Sequence, residues 1–227
     1  MAIDRCVPAS YIRTVLTLRR GSVLSSPAAK PAPQTEGDPE RDVMFIQTEA
    51  TPNPSTLKFI PGKSVLADGT ADFRNRTEAT TSPLATRLFD ISGVNGVFLG
   101  SDFISVTKGE IEWQHLKPMV LGAIMEHYVS GQPVSGGEGA NDSTEGSYDP
   151  ADEGTVATIK ELLETRVRPA VAQDGGDITF SGFREGVVYL HMRGACAGCP
   201  SSTATLRNGI ENLLKHFCPD VQAVQAV

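Results

Sequence analysis

Cys196 and Cys199, in the run Gly194-Ala195-Cys196-Ala197-Gly198-Cys199-Pro200, are the residues of this chain whose type and spacing best suit chemistry. Two intervening residues let a chain curl until both sulfurs face one centre. Thiolates are soft ligands that suit iron–sulfur clusters, zinc or copper(I). The small residues around the pair leave room for a bulky group and let backbone N–H groups approach it. Cys199 stands just before an expected helix N-terminus, where the local positive potential favours a thiolate or an anionic cluster.

Spacing alone leaves three uses open. A closed zinc site calls for a second Cys or His pair at tight spacing, and the sequence has none. A thioredoxin-like dithiol enzyme calls for the pair at a helix start after the first strand of a βαβ unit; here it follows the second strand of an apparent hairpin in a small module. An iron–sulfur cluster is usually held by about four protein ligands, so the pair is half a set. Cys218 lies about a full helix away from the loop. A second copy of the loop across a two-fold axis completes the set without further constraint. On the iron–sulfur reading the cluster bridges a homodimer, and such an exposed, labile site suits transfer better than storage.

The other polar candidates read as ordinary. Cys218, between Phe217 and Pro219, is expected to be a packed or idle thiol. His191 is expected to be a plain strand residue, with an outer-shell bond to a sulfur as the alternative. His115, His127 and His216 fall on expected helices and read as solvated. Asp174 and Asp177, separated by two glycines, read as turn formers and a strand entry rather than an acid–base pair. The prolines of Thr51-Pro52-Asn53-Pro54 explain that segment as a turn.

The expected elements fall into two small α+β domains joined by a flexible acidic linker. Residues 44–130 hold short strands at MFIQTEA and TLKFI, then a helix capped by Ser82 with Pro83 at its first position. A hairpin of Val94–Leu99 and Phe103–Lys108 follows. The next helix carries Trp113, Leu116, Val120, Ile124 and Tyr128 on one face, and Gly131 and Pro133 stop it. Residues 131–151 are Gly, Ser, Asp and Glu with almost no core former, as expected of a linker. Residues 152–227 hold a helix through Val156, Ile159, Leu163 and Val167, which Pro169 should kink or break. After it come a turn at Asp174–Asp177, two strands around Gly186 and the cysteine loop. A helix over about 201–216 presents Leu206, Ile210, Leu213 and Phe217, and the tail VQAVQAV forms a third strand.

Residues 1–43 lie outside both domains. The first 30 carry Arg5, Arg13, Arg19, Arg20 and Lys30 against Asp4 as the only acid, followed by a proline-rich charged stretch. This composition fits a disordered tail, an organelle transit peptide, or an extension upstream of a true start at Met44. The sequence favours the last, and with it a bacterial cytoplasmic protein. A mitochondrial matrix location is the alternative if residues 1–43 are a transit peptide.

Composition bounds the remaining choices. The formal net charge of the 227 residues is -7, which disfavours a general nucleic-acid binder. No apolar run approaches the roughly 20 residues a membrane span requires. Four cysteines are too sparse for a disulfide-stapled secreted scaffold.

The residues flanking the pair decide among its uses. RPAVAQDGGDITF followed by GVVYLHMRGACAGCPSSTATLRNGIENLL resembles the NifU C-terminal-like domain of the Nfu family, over about residues 153–227. MFIQTEATPNPSTLKFIPG, with SPLA and DFISV downstream, resembles the Nfu N-terminal domain. The resemblance implies a carrier or scaffold for a [4Fe-4S] cluster rather than an enzyme. Cys196 and Cys199 would be its ligands in each of two subunits, with cluster-assembly proteins upstream and apo iron–sulfur proteins as clients. The rival reading is a thiol–disulfide oxidoreductase using the same pair.

Overall fold

The computed structural model describes residues 44–135 and 146–227. The expectations for residues 1–43 and for linker residues 136–145 fall outside them. The α+β class holds, with two sheets that each have their own apolar cluster.

The first sheet is antiparallel, in the order β1-β2-β5-β4-β3. Its strands are β1 (Gln47–Ala50), β2 (Thr56–Ile60), β3 (Ala71–Phe73), β4 (Val94–Leu99) and β5 (Ile104–Lys108). β3 escapes a pattern search because three residues are too few to show a period of two. Two helices cover one face: α1 (Pro83–Phe89) and α2 (Trp113–Ser130). Ser82 caps α1 by accepting the Ala85 N–H at 3.1 Å, and Gly131, at φ 66°, ends α2 in the left-handed conformation. Alternate strand residues Phe59, Val97, Leu99, Ile104 and Val106 pack with Leu84, Leu88, Leu116, Val120 and Ile124.

The second sheet pairs β6 (Gly176–Arg184) antiparallel with β7 (Val187–Gly194), and β7 parallel with β8 (Ala223–Ala226). Glu185 and Gly186, both at positive φ, make the tight turn between β6 and β7. α3 (Glu153–Leu162) runs through a π turn over 163–167 into α4 (Arg168–Gln173). The break expected at Pro169 becomes this π turn. A proline ring crowds the carbonyl four residues back, and the wider turn, in which the Arg168 N–H reaches Leu163 O, relieves the crowding. α5 (Pro200–Phe217) follows the cysteine loop.

Three expectations need correction. His127 is fully buried rather than solvated, three residues beyond Ile124 on the core side of α2, while Tyr128 is only half-buried. On α5 the buried stripe runs through Ile210, Leu214 and Cys218, leaving Phe217 42% exposed. The stretch expected to be linker up to 151 is held at its end: Ser147 bridges to Gly182, and Tyr148 packs edge-on to Phe180. Among the described residues, no helix is long and apolar enough to cross a membrane.

Neither ring nitrogen of His127 has a hydrogen-bond partner among the described residues. Burial, with Arg87 nearby, lowers its pKa from the ordinary value. The unfolded chain therefore takes up a proton at mildly acid pH that the folded chain refuses, so stability is lost as pH falls through about 6.5. His127→Leu should raise stability by about 1 kcal/mol through removal of unpaired buried nitrogens. Urea midpoints should also fall less between pH 8 and pH 5 in the variant than in the parent.

Candidate functional site

β7 delivers the chain into the cysteine loop and α5 takes it out. Gly194 and Gly198 adopt φ of 59° and 85°, conformations that cost other residues strain. The loop is closed by backbone bonds: Cys196 N–H bonds to Arg193 O and Ala197 N–H to Gly194 O at 3.1 Å, while Ala195 N–H reaches Gly175 O, before β6, at 3.1 Å. Thr203 ties the loop to the first turn of α5, donating its hydroxyl to Cys196 O and its N–H to Cys199 O.

The two thiols sit in different surroundings. Cys196 is 5% exposed and packs with the second apolar cluster. Burial pushes its thiol up to about 12, and the charges of Asp174 and Asp177 add to the effect. Cys199 is half-buried and is the N-cap of the 18-residue α5, with its sulfur 3.2 Å from the Ser201 hydroxyl. Neither is in a disulfide. Among the described residues, no group of three or more His, Cys, Asp or Glu gathers around a point.

The paired glycines before β6 have separate geometric reasons. A Cβ on Gly176 would stand 2.5 Å from Cys196 Sγ and 2.7 Å from Arg193 O. Gly175 has φ of 81°, and a Cβ there would lie 2.7 Å from Ser105 Oγ. The first glycine admits a serine of the first sheet; the second admits the thiol.

Asp177 is more than a strand entry. It is 4% exposed and holds Arg168 through two bonds, of 2.8 and 2.9 Å, while Arg168 also reaches Glu164. The pair locks α4 to β6 beside the loop. The sequence offered no cue, because the two residues are nine positions apart across an element boundary. Cys218 is buried in the second cluster as a free thiol. His191 is half-buried, with Nδ1 3.1 Å from the Val227 carbonyl oxygen, which places it at the end of β8.

Residues of the first sheet reach the loop, which the sequence did not show. Asn53 is 3% exposed and donates its Nδ2 to Ala197 O, between the two cysteines, at 3.0 Å. Pro52 and Cys196 line one cavity of about 350 Å³, with Asp174, Ser201 and Leu206. The Thr51–Pro54 turn is thus a turn and also a wall of the site.

Two family models match this chain: the scaffold protein Nfu/NifU N-terminal model over residues 46–131, and the NifU-like domain over residues 159–225. The human protein named NFU1 iron-sulfur cluster scaffold homolog, mitochondrial, is 50% identical over 186 residues, covering 81% of this chain and 72% of its own length. This chain belongs to the Nfu/NifU-like family. The Arabidopsis thaliana protein named NifU-like protein 4, mitochondrial, is 51% identical over 189 residues, covering 82% of this chain and 67% of its own length. The solution structure of a Saccharomyces cerevisiae NifU-like protein aligns at 25% identity over 42% of this chain and 87% of that one, with a TM-score of 0.38, too low to bear on the fold.

These Nfu/NifU-like relatives correct the expected location. Plant, fly and human proteins at 50–51% identity are all named mitochondrial, which overturns the bacterial cytoplasmic reading. That reading gave too little weight to the arginine-rich, acid-poor composition of the first 30 residues.

Two outcomes follow from the geometry. At pH 8, iodoacetamide should alkylate Cys199 well before Cys196 in the metal-free chain, as read by peptide mass spectrometry. Gly176→Ala should cost about 1–3 kcal/mol, the usual penalty for forcing an extra methyl into packed space, measured as a lower urea midpoint.

Proposed function

We propose that this chain is an iron–sulfur cluster scaffold that holds a [4Fe-4S] cluster on Cys196 and Cys199 of two subunits and passes it to apo-proteins in the mitochondrion. The observation that carries the reading is the pair itself: two thiols at one loop and the N-terminus of α5, while no group of three or more His, Cys, Asp or Glu among the described residues is placed to hold a metal ion. Membership of the Nfu/NifU-like family supports the scaffold role, and the human relative's name carries the same words.

In this reading the chain's residues position and release rather than react. Thr203 and the loop's backbone bonds hold the sulfurs in place. Gly176 and the small loop residues leave space around Cys196. The N-terminus of α5 offers positive potential to bound anionic charge. Metal binding displaces the thiol protons, which offsets the high affinity of Cys196 for its own. Delivery is ligand exchange: client thiolates replace those of Cys196 and Cys199 on iron, with no net oxidation. For a thiol–disulfide oxidoreductase, burial of Cys196 would leave Cys199 as the attacking thiol.

Anaerobic reconstitution with iron and sulfide should give a brown protein with about four irons and four sulfides per dimer, and size-exclusion chromatography should show the dimer appearing with the cluster. Cys196→Ala and Cys199→Ala should each lose most of the bound iron. Equal loading by either variant, or a loaded monomer, would overturn the shared site.

A further inference from the structure

One rung of the first sheet crosses all five strands. Glu49 pairs with Lys58, Lys58 with Ser105, Ser105 with Phe98, and Phe98 with Asp72. Directly paired residues share a face, and this face lies opposite α1 and α2. Four of the five meet α4, the turn after it or the end of β7, beside the cysteines. Lys58 Nζ donates to Gln173 O at 3.0 Å and Ser105 Oγ to Gly175 O at 2.6 Å. The Phe98 ring packs on Gly194, within 3.0 Å of where a Cβ would stand, and Asp72 lines one pocket with Gly194. Off the rung, Asn53 holds Ala197 O and Thr70 donates to Asp177 at 3.0 Å.

The two apolar clusters do not merge across this boundary. The contact is mostly polar, with Asn53, Lys58 and Ser105 each donating to a main-chain carbonyl, Thr70 donating to Asp177 and the Phe98 ring on Gly194, the kind of interface that leaves modules separable. The contact also lies on the loop itself, since Ala197 separates the two cysteines and Pro52 shares a cavity with Cys196.

We infer that the first module is a reversible cap on the cysteine loop, docked in the metal-free chain and displaced when two loops meet around a cluster. The displaced half of this inference rests on the proposed function; the docked half does not. A second subunit must bring its own loop against the first, and the groups it would approach are already bonded to Asn53, Ser105 and Lys58.

The test uses the full chain. In metal-free protein, Asn53→Ala with Ser105→Ala should speed iodoacetamide alkylation of Cys196 about tenfold, the effect expected when opening loses hydrogen bonds of ordinary strength. The exposed Gln47→Ala should leave the rate unchanged. An unchanged Cys196 rate in the double variant, with parental circular dichroism, overturns the cap. If the double variant does not fold, Ser105→Ala alone is scored by the same criterion. In the parent chain, the buried Lys58 amine should resist acetylation before anaerobic iron and sulfide loading and react several-fold faster after it. Lys58 still protected in a loaded dimer overturns the displacement. Failure to load iron counts against the proposed function and leaves the alkylation result to decide the cap.

Discussion

A polar sheet face buried without water must find partners in protein, and that demand organises this molecule. Ser105, in the middle of a five-stranded sheet, is 1% exposed, and Lys58 beside it is 8% exposed. An unpaired buried hydroxyl or amine costs free energy comparable to a lost hydrogen bond or more. The partners come from the turn over 173–177, whose carbonyls point at the sheet. That turn must present its backbone closely, so Gly175 carries no side chain and takes a left-handed conformation. Once the turn is placed, Gly176 follows, and the space above it holds the sulfur of Cys196. The sheet's polar rung and the thiol are therefore two sides of one pair of glycines.

The same arrangement makes the two sulfurs unequal. Cys196 lies in an apolar cluster with two aspartates near it, so its proton is held firmly. Cys199 caps a long helix beside a serine hydroxyl. On the proposed reading, bound iron would supply the charge compensation that the buried Cys196 lacks. Such behaviour suits a protein that must hold a reactive cargo and release it. The Arg168–Asp177 pair keeps α4 and β6 in register beside the loop, and the Asp177 carboxylate also accepts from Thr70 of the first module.

Much of this was legible in the residues. The helix-capping Ser82-Pro83, the hairpin of β4 and β5, the turn at Gly186 and the final strand are local signals: periodicity, a cap, a positive-φ glycine. The Cys-x-x-Cys pair and its flanks carried the resemblance that family membership bears out. His127 was misread because periodicity ranks residues by polarity, whereas the helix turned that position inward regardless. Phe217 and Leu214 exchanged roles because a small angular drift along α5 decides which of two apolar neighbours meets the core.

The sequence determined the elements and the chemistry of the pair because both depend on neighbours a few positions apart. Only the tertiary structure decided what stands over that pair. The rung from Glu49 to Asp72 joins five strands through their register, which no local pattern specifies. The hydrogen bond from Asn53 to Ala197 spans 144 positions of chain, so its partners are chosen by how the two sheets dock, and the two cysteines carry no mark of it.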